Sequence, residues 1–147
     1  MVKETEFDLQ NFLPYLLNQA AEASSLAFRE LYKDRYGLLR TEWRVLFHLG
    51  LYGEMTAVEI GRRARMHKTK ISRAVHRLAD RRFITRRRDE QDRRVEHLVL
   101  TPQGRNVYQD LVAVAQEYDE ALCAQLSEQE LKLLKKVLGR LAQAPTV

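Results

Sequence analysis

The sequence predicts a mainly α-helical chain carrying one small β-hairpin. Apolar residues recur at helical spacing over both ends of the chain, two short helical periods sit at its centre, and a brief two-residue alternation follows them. The 147 residues include only six Gly and three Pro, so long irregular segments are not expected. Hydrophobic residues make up 45% of the chain, enough for a real core and too many for a disordered tail. That length favours a single compact unit over two.

From Phe7 to Tyr36 the helical rhythm runs through Phe12, Leu13, Leu16, Leu17, Ala20, Ala23, Ala27, Phe28, Leu31 and Tyr32. Pro14 belongs to the first turn or separates a short leading turn from the main helix, and Gly37 is the expected stop. Thr41 is a candidate cap for a second helix with Trp43, Leu46, Phe47 and Leu49 on its apolar side, ending near Gly50 or Gly53. Thr56 and Glu59 have capping-box spacing and open a short helix through Ile60 and Ala64. After a break at Ala64 to Met66, Ile71, Ala74, Val75 and Leu78 mark another. Two short helices separated by about three residues, the second rich in cations and small polar groups, have the form of a helix-turn-helix.

The period then changes. Phe83 to Arg87 and Val95 to Leu100 suit strands, and the polar run Arg88 to Arg94 between them has the length of a hairpin loop. Thr101 and Pro102 end the second strand and start another helix. Its stripe includes Val107, Tyr108, Leu111, Val114, Tyr118 and Leu122. Ser127 and Glu130 form a second capping box, opening a final helix through Leu131, Leu134, Val137, Leu138 and Leu141. The terminal helices over 7–36 and 104–143 have more apolar surface than a central lobe over 41–100 can cover, so pairing of two copies is expected.

The net charge of +5 is unevenly spread. Between Met55 and Arg94 there are 14 Lys/Arg against 5 Asp/Glu, whereas the rest of the chain has 11 against 15. A chain basic in its middle third and mildly acidic elsewhere has one surface suited to a polyanion. No stretch approaches about 20 uncharged apolar residues, the length of a membrane span. The start, Met1-Val2-Lys3-Glu4, lacks the basic-then-apolar order of a secretion signal. The single cysteine, Cys123, excludes an intrachain disulfide framework and fits a reducing cytoplasm.

A helix lying in a DNA major groove reads base edges with residues near its N-terminus. With Ile71, Ala74, Val75 and Leu78 turned to the core, Lys68, Thr69, Ser72 and Arg73 fall on the outer face, and Lys70, His76 and Arg77 nearer its edges. The Thr56 hydroxyl and the amides behind it suit a phosphate. In the hairpin loop, acids sit among Arg88, Arg93 and Arg94. Asp89, Glu90 and Asp92 are expected to orient guanidinium groups through carboxylate pairs, so that Arg93 or Arg94 at the tip enters a minor groove. Double-stranded DNA is therefore the expected partner. No phosphate-cradling glycine loop, nucleophile elbow or zinc-protease motif is present, which argues against an enzyme. His48, His67, His76 and His97 make no short ligand run, and no metal or cofactor is expected. An architectural or nonspecific nucleic-acid binder is the alternative, differing by a low ratio of operator to random-DNA affinity.

In the run from Arg81 to Gly104, spaced aspartates and arginines precede a strand ending in Leu100-Thr101 and a nearby Gly. That run, with Leu39 to Leu46 before it, resembles the MarR family of winged helix-turn-helix regulators over nearly the whole chain. The resemblance implies a triangular homodimer joined by its terminal helices, with two winged lobes on a pseudo-palindromic operator. It matches Arg94 to the wing arginine of the minor groove and Asp92 to the aspartate that orients it. Thr69, Lys70, Ser72 and Arg73 match recognition-helix contacts. It further implies repression relieved by a small effector, often a phenolic or aromatic carboxylate or its CoA thioester. The effector positions matched here are Asn18, Ser25, Arg44 and His48, with Trp43 and Phe47 as walls.

Overall fold

The long first helix, α1 (Leu13–Tyr36), begins after a single 3-10 turn at Leu9–Asn11. This computed structural model describes residues 6–143. Met1, Val2, Lys3 and Glu4, on which the expectation about a leader rests, lie outside them. Pro14 sits in the first turn of α1, where its missing N–H costs nothing. Gly37 ends the helix in the left-handed region (φ 64°) and returns its N–H to the Lys33 carbonyl at 2.7 Å. Tyr32 alone of α1 is buried, while Leu13, Leu16, Leu26 and Leu31 stay exposed.

The second helix, α2 (Arg40–Tyr52), starts two residues earlier than a cap at Thr41 would place it. Thr41 lies inside it and does not cap it. Glu42 does that work instead: its buried carboxylate accepts the Leu39 N–H at 2.7 Å, while the Leu39 carbonyl takes the Glu42 and Trp43 N–H groups. The next helices are α3 (Ala57–Ala64) and α4 (Lys68–Asp80). Thr56 caps α3 as its spacing predicts, with Glu59 N–H to Thr56 Oγ1 at 3.2 Å and the Glu59 carboxylate reaching back to Thr56 N–H at 3.4 Å. Arg65, at φ 53°, turns the chain between the two helices. His67 caps α4 by accepting the Thr69 N–H through Nδ1 at 3.3 Å.

The sheet has a strand the sequence does not announce. Besides β2 (Ile84–Arg88) and β3 (Glu96–Leu100), Met55–Thr56 forms β1, and the order is β1-β3-β2, antiparallel throughout. Two residues are too few to show alternation, so β1 is set by its pairing, Met55 with Leu98 and Thr56 with His97. It ties the start of α3 to the hairpin. Val45, Leu46, Leu49, Ile60, Leu78 and Leu98 are all less than 2% exposed and knit α2, α3, α4 and β3 into one core. Each such side chain contributes roughly 1.5–3 kcal/mol by leaving water.

The helix α5 (Pro102–Cys123) leaves the sheet through a tight junction. Thr101 donates its hydroxyl to the Arg82 carbonyl at 2.6 Å and accepts the Gly104 N–H at 2.9 Å. A Cβ at Gly104 would run into the Phe83 carbonyl, so only glycine lets the first turn of α5 approach this closely.

The chain divides into two compact units, the first ending at Asp110 and the second starting at Leu111, within α5. The second unit holds the rest of α5 and α6 (Glu128–Ala142), which opens with the Ser127–Glu130 capping box. No residue of α6 is buried; Leu133, Leu134, Leu138 and Leu141 are exposed. The expected fold class, mainly α with a β-hairpin wing, is the one adopted. No helix among the described residues is long and apolar enough to cross a membrane.

Candidate nucleic-acid interface

The helix α4 is split along its length. Ile71, Ala74, Val75 and Leu78 are buried, while Lys68, Thr69, Lys70, Ser72, Arg73, His76 and Arg77 are exposed. The buried stripe fixes how the helix lies on the core, and thereby where the polar face points. Among the described residues, Lys68, Lys70, Arg73 and Arg77 form no ion pair; the one such contact on this helix joins His76 to Asp80 at 3.3 Å.

The wing treats its cations differently. Arg86 grips Glu96 with both Nε and Nη2, at 3.0–3.1 Å. Arg94 meets Asp92 through Nε at 3.1 Å and Nη2 at 3.4 Å, and the same carboxylate accepts the Arg94 N–H at 3.1 Å. The Arg94 side chain nevertheless remains 92% exposed, so Asp92 aims the guanidinium without covering it. Arg88 donates to the Arg93 carbonyl at 3.4 Å, and both residues are exposed.

Asp89 does something other than orient an arginine. Its Oδ2 accepts the Gln91 and Asp92 N–H groups at 3.1 and 3.0 Å, and its Oδ1 lies 2.9 Å from His97 Nε2. The His97 contact, with the two backbone donors, pulls the Asp89 pKa below the ordinary carboxylate value. One carboxylate thus builds the turn and pins it to β3. Asp89 and His97 are eight residues apart, and only the hairpin register, Arg87 opposite His97, brings them together.

These elements meet around one cleft of about 540 Å³. Thr56, Lys68, Ser72 and Arg94 line it together with the buried Met66, Ile71 and Val75. The start of α3, the first turns of α4 and the wing therefore offer hydroxyl and cationic groups to the same space. Lys70 lies elsewhere, on the lining of a different cavity. Thr69, Arg73 and Arg77 stand on the open face of α4.

The residues matched to an effector are distributed over separate surroundings. Trp43 and Phe47 stack edge-to-face at 5.2 Å within an aromatic chain that runs from Phe28 to Tyr108. Arg44 donates to the Ala64 carbonyl at the end of α3, and burial, aided by the neighbouring Arg40 charge, lowers its pKa. His48 Nδ1 lies 2.6 Å from the Arg44 carbonyl, with its ring against Tyr52. Asn18 is exposed on α1, and Ser25 lines the cavity that holds Lys70. Arg29 and Arg40 line that cavity too and were not singled out in the sequence, because nothing in their spacing connects them with Lys70. No group of His, Cys, Asp and Glu among the described residues could hold a metal ion.

Residues 36–95 match the family model described as MarR family. A probable transcriptional regulator from Pseudomonas aeruginosa is 30% identical, with 91% of this chain and 99% of that chain covered and a TM-score of 0.75. BpsR of Bordetella bronchiseptica, whose DNA binding is regulated by 6-hydroxynicotinic acid, is 21% identical, with 95% and 99% covered and a TM-score of 0.86. A mutant MarR from E. coli, solved complexed with operator DNA, is 19% identical, with 88% and 92% covered and a TM-score of 0.79.

Proposed function

The chain belongs to the MarR family of DNA-binding transcriptional regulators, and from that premise we propose that it is a homodimeric, sequence-specific repressor released by a small aromatic acid. The observation that carries the DNA reading is the shared cleft: Thr56, Lys68, Ser72 and Arg94 come from three elements and face one space. Next to it, Arg73 and Arg77 are exposed, form no ion pair among the described residues, and are available to bases or phosphates. In this reading α4 enters the major groove, and Arg94, aimed by Asp92, enters the adjacent minor groove. Thr69 and Ser72 suit bases or backbone, Thr56 a phosphate, and Arg88 and Arg93 the phosphates beside the wing.

The leucines left open on α1 and α6 support the dimer. The helices over 7–36 and 104–143 carry that pairing, and the lobe over 41–100 reads DNA. Repetition of the lobe by a twofold axis calls for a pseudo-palindromic site. An aromatic carboxylate as effector draws on the 6-hydroxynicotinic acid named for BpsR; release as the response, and a CoA thioester as the alternative ligand, rest on the family resemblance.

Selection of bound duplexes from a random pool tests the reading. The expected product is a palindrome with half-sites separated by about one helical turn. Recovery of unrelated sequences with equal affinity would favour the architectural, nonspecific alternative instead.

A further inference from the structure

His97 lies on β3 at the root of the wing loop, half-buried, with its Nε2 2.9 Å from Asp89 Oδ1. An ionised carboxylate only accepts, so the ring N–H donates. The other Asp89 oxygen takes the Asp92 N–H at 3.0 Å, and Asp92 in turn takes the backbone N–H and the Nε of Arg94, each at 3.1 Å. The backbone closes around these contacts: Asp89 N–H meets the Val95 carbonyl at 2.9 Å, and Val95 N–H the Asp92 carbonyl at 3.0 Å. A continuous run of hydrogen bonds therefore leads from the His97 ring to the Arg94 guanidinium, which stands open to solvent.

Leu98 is fully buried, so the preceding His97 lies on the sheet face turned away from that core. Its cross-strand neighbours there are Thr56 on β1 and Arg87 on β2. Thr56 is uncharged, and its N–H takes up the Glu59 carboxylate at 3.4 Å. Glu54 holds the Arg87 guanidinium at 3.4 Å and offsets that cation beside the ring. Arg86 and Glu96 satisfy each other on the other face. Asp89 is left as the charge in contact with His97.

Histidine is the side chain whose charge ordinarily changes between about pH 5 and 8. Asp89 keeps its charge toward the neutral end of that range, because its pKa is held below the ordinary carboxylate value. A proton gained by the ring turns the contact into a charge-assisted hydrogen bond, roughly twice as strong as a neutral one. The added grip is present on the acid side and is lost as pH rises and His97 gives up its proton.

We propose that His97 is a positioning residue for Arg94, acting through Asp89 and Asp92, and that its protonation tightens the wing and with it the hold on a duplex. The second half rests on the DNA reading above; the first half stands without it.

NMR titration of the free full chain between pH ~5 and ~8 reads the relay in the absence of DNA. The backbone amides of Asp92 and Arg94 should shift with the His97 ring in one transition, and that transition should vanish in His97→Gln. Amides that stay still while the ring titrates would overturn the relay. Fluorescence anisotropy with a selected duplex at pH ~6 and ~8 reads the consequence. The parent should gain affinity toward acid by roughly threefold or more beyond any gain in His97→Gln, whose amide can donate to Asp89 but acquires no charge. His67 and His76 on α4 are common to both proteins and cancel in that comparison. In an Arg94→Ala background, adding His97→Gln should leave the pH profile unaltered. Equal profiles for parent and His97→Gln overturn the proposal. A His97 effect that survives Arg94→Ala overturns the route, since it marks an imidazolium acting on phosphate directly. Should His97→Gln fail to melt cooperatively, Asp89→Asn carries the test, and it too should lose the extra gain toward acid. Absence of duplex binding at either pH defeats the DNA reading, while the NMR titration still decides the relay.

Discussion

The helix α4 and the wing are both rich in cations, yet they hold them in opposite ways. On α4, Lys68, Lys70, Arg73 and Arg77 form no ion pair among the described residues, and their positions come from the four buried residues under the helix. In the wing, Glu96 holds Arg86, Asp92 holds Arg94, and Asp89 holds the loop backbone. A helix supplies its own backbone order, so its outer side chains can be left unpaired. A seven-residue polar loop has no core beneath it, and carboxylates must do the ordering. They do so at modest electrostatic cost, because Asp92 leaves the Arg94 tip open to solvent.

The broadest test of that contrast is salt. If each protomer places four or five cations on phosphates, the dimer releases roughly eight to ten counterions, and operator affinity falls by about three to five decades between ~50 and ~200 mM salt. Fluorescence anisotropy across that range measures the slope. A flat response would mean that the free cations of α4 do not meet the duplex.

Removing the support under α4 comes next. Leu78 is fully buried, and Leu78→Ala should cost about 2–5 kcal/mol of stability in denaturant unfolding. Asp89→Ala, by contrast, removes three contacts from an exposed loop and should lower operator affinity with little change in global unfolding. Equal stability losses in the two variants would erase the distinction between a core-positioned helix and a carboxylate-positioned wing.

Within the wing, Arg94→Ala should weaken operator binding by about 1–3 kcal/mol while leaving dimer and helicity intact. Asp92→Ala should reproduce part of that loss, since Arg94 stays but is no longer aimed. Gel-shift titration of both against the parent separates aiming from contact. An Asp92→Ala variant with parental affinity would show that the Arg94 guanidinium finds its place unaided.

The sequence made the first of these regions far more legible than the second. Ile71, Ala74, Val75 and Leu78 announce α4 by period alone, and Thr56 with Glu59 announces α3, because both signals are local. Wing arginines and aspartates were visible too, and the Asp92–Arg94 pair, two residues apart, was foreseeable. The work of Asp89 was not, since its partner His97 reaches it only through strand register. The strand β1 escaped for the same reason, being defined by pairing across some forty residues. The cap of α2 has a local signal in Glu42, three residues after Leu39, but Leu39 has no side-chain acceptor, so the usual residue types point to Thr41 instead. Arg29, Arg40 and Lys70 come from three different helices, and no linear pattern collects them.

Acid should have the smallest effect and a defined sign. The Asp89 carboxylate titrates below its unfolded value, first because of His97 and then because of the two backbone donors. Its folded pKa is depressed, so the stabilisation is fully present above the unfolded carboxylate value, near 4, and is lost as pH falls through the folded value. No change from this group is expected between pH ~6 and ~8, where the carboxylate is charged in both states. Asp89→Asn removes the charge while keeping an acceptor oxygen. The melting temperatures of parent and Asp89→Asn should therefore differ most near neutrality and converge as pH drops below about 4. A gap of the same size at both ends of that range would mean that Asp89 orders the wing through shape alone, and the contrast with α4 would no longer rest on charge.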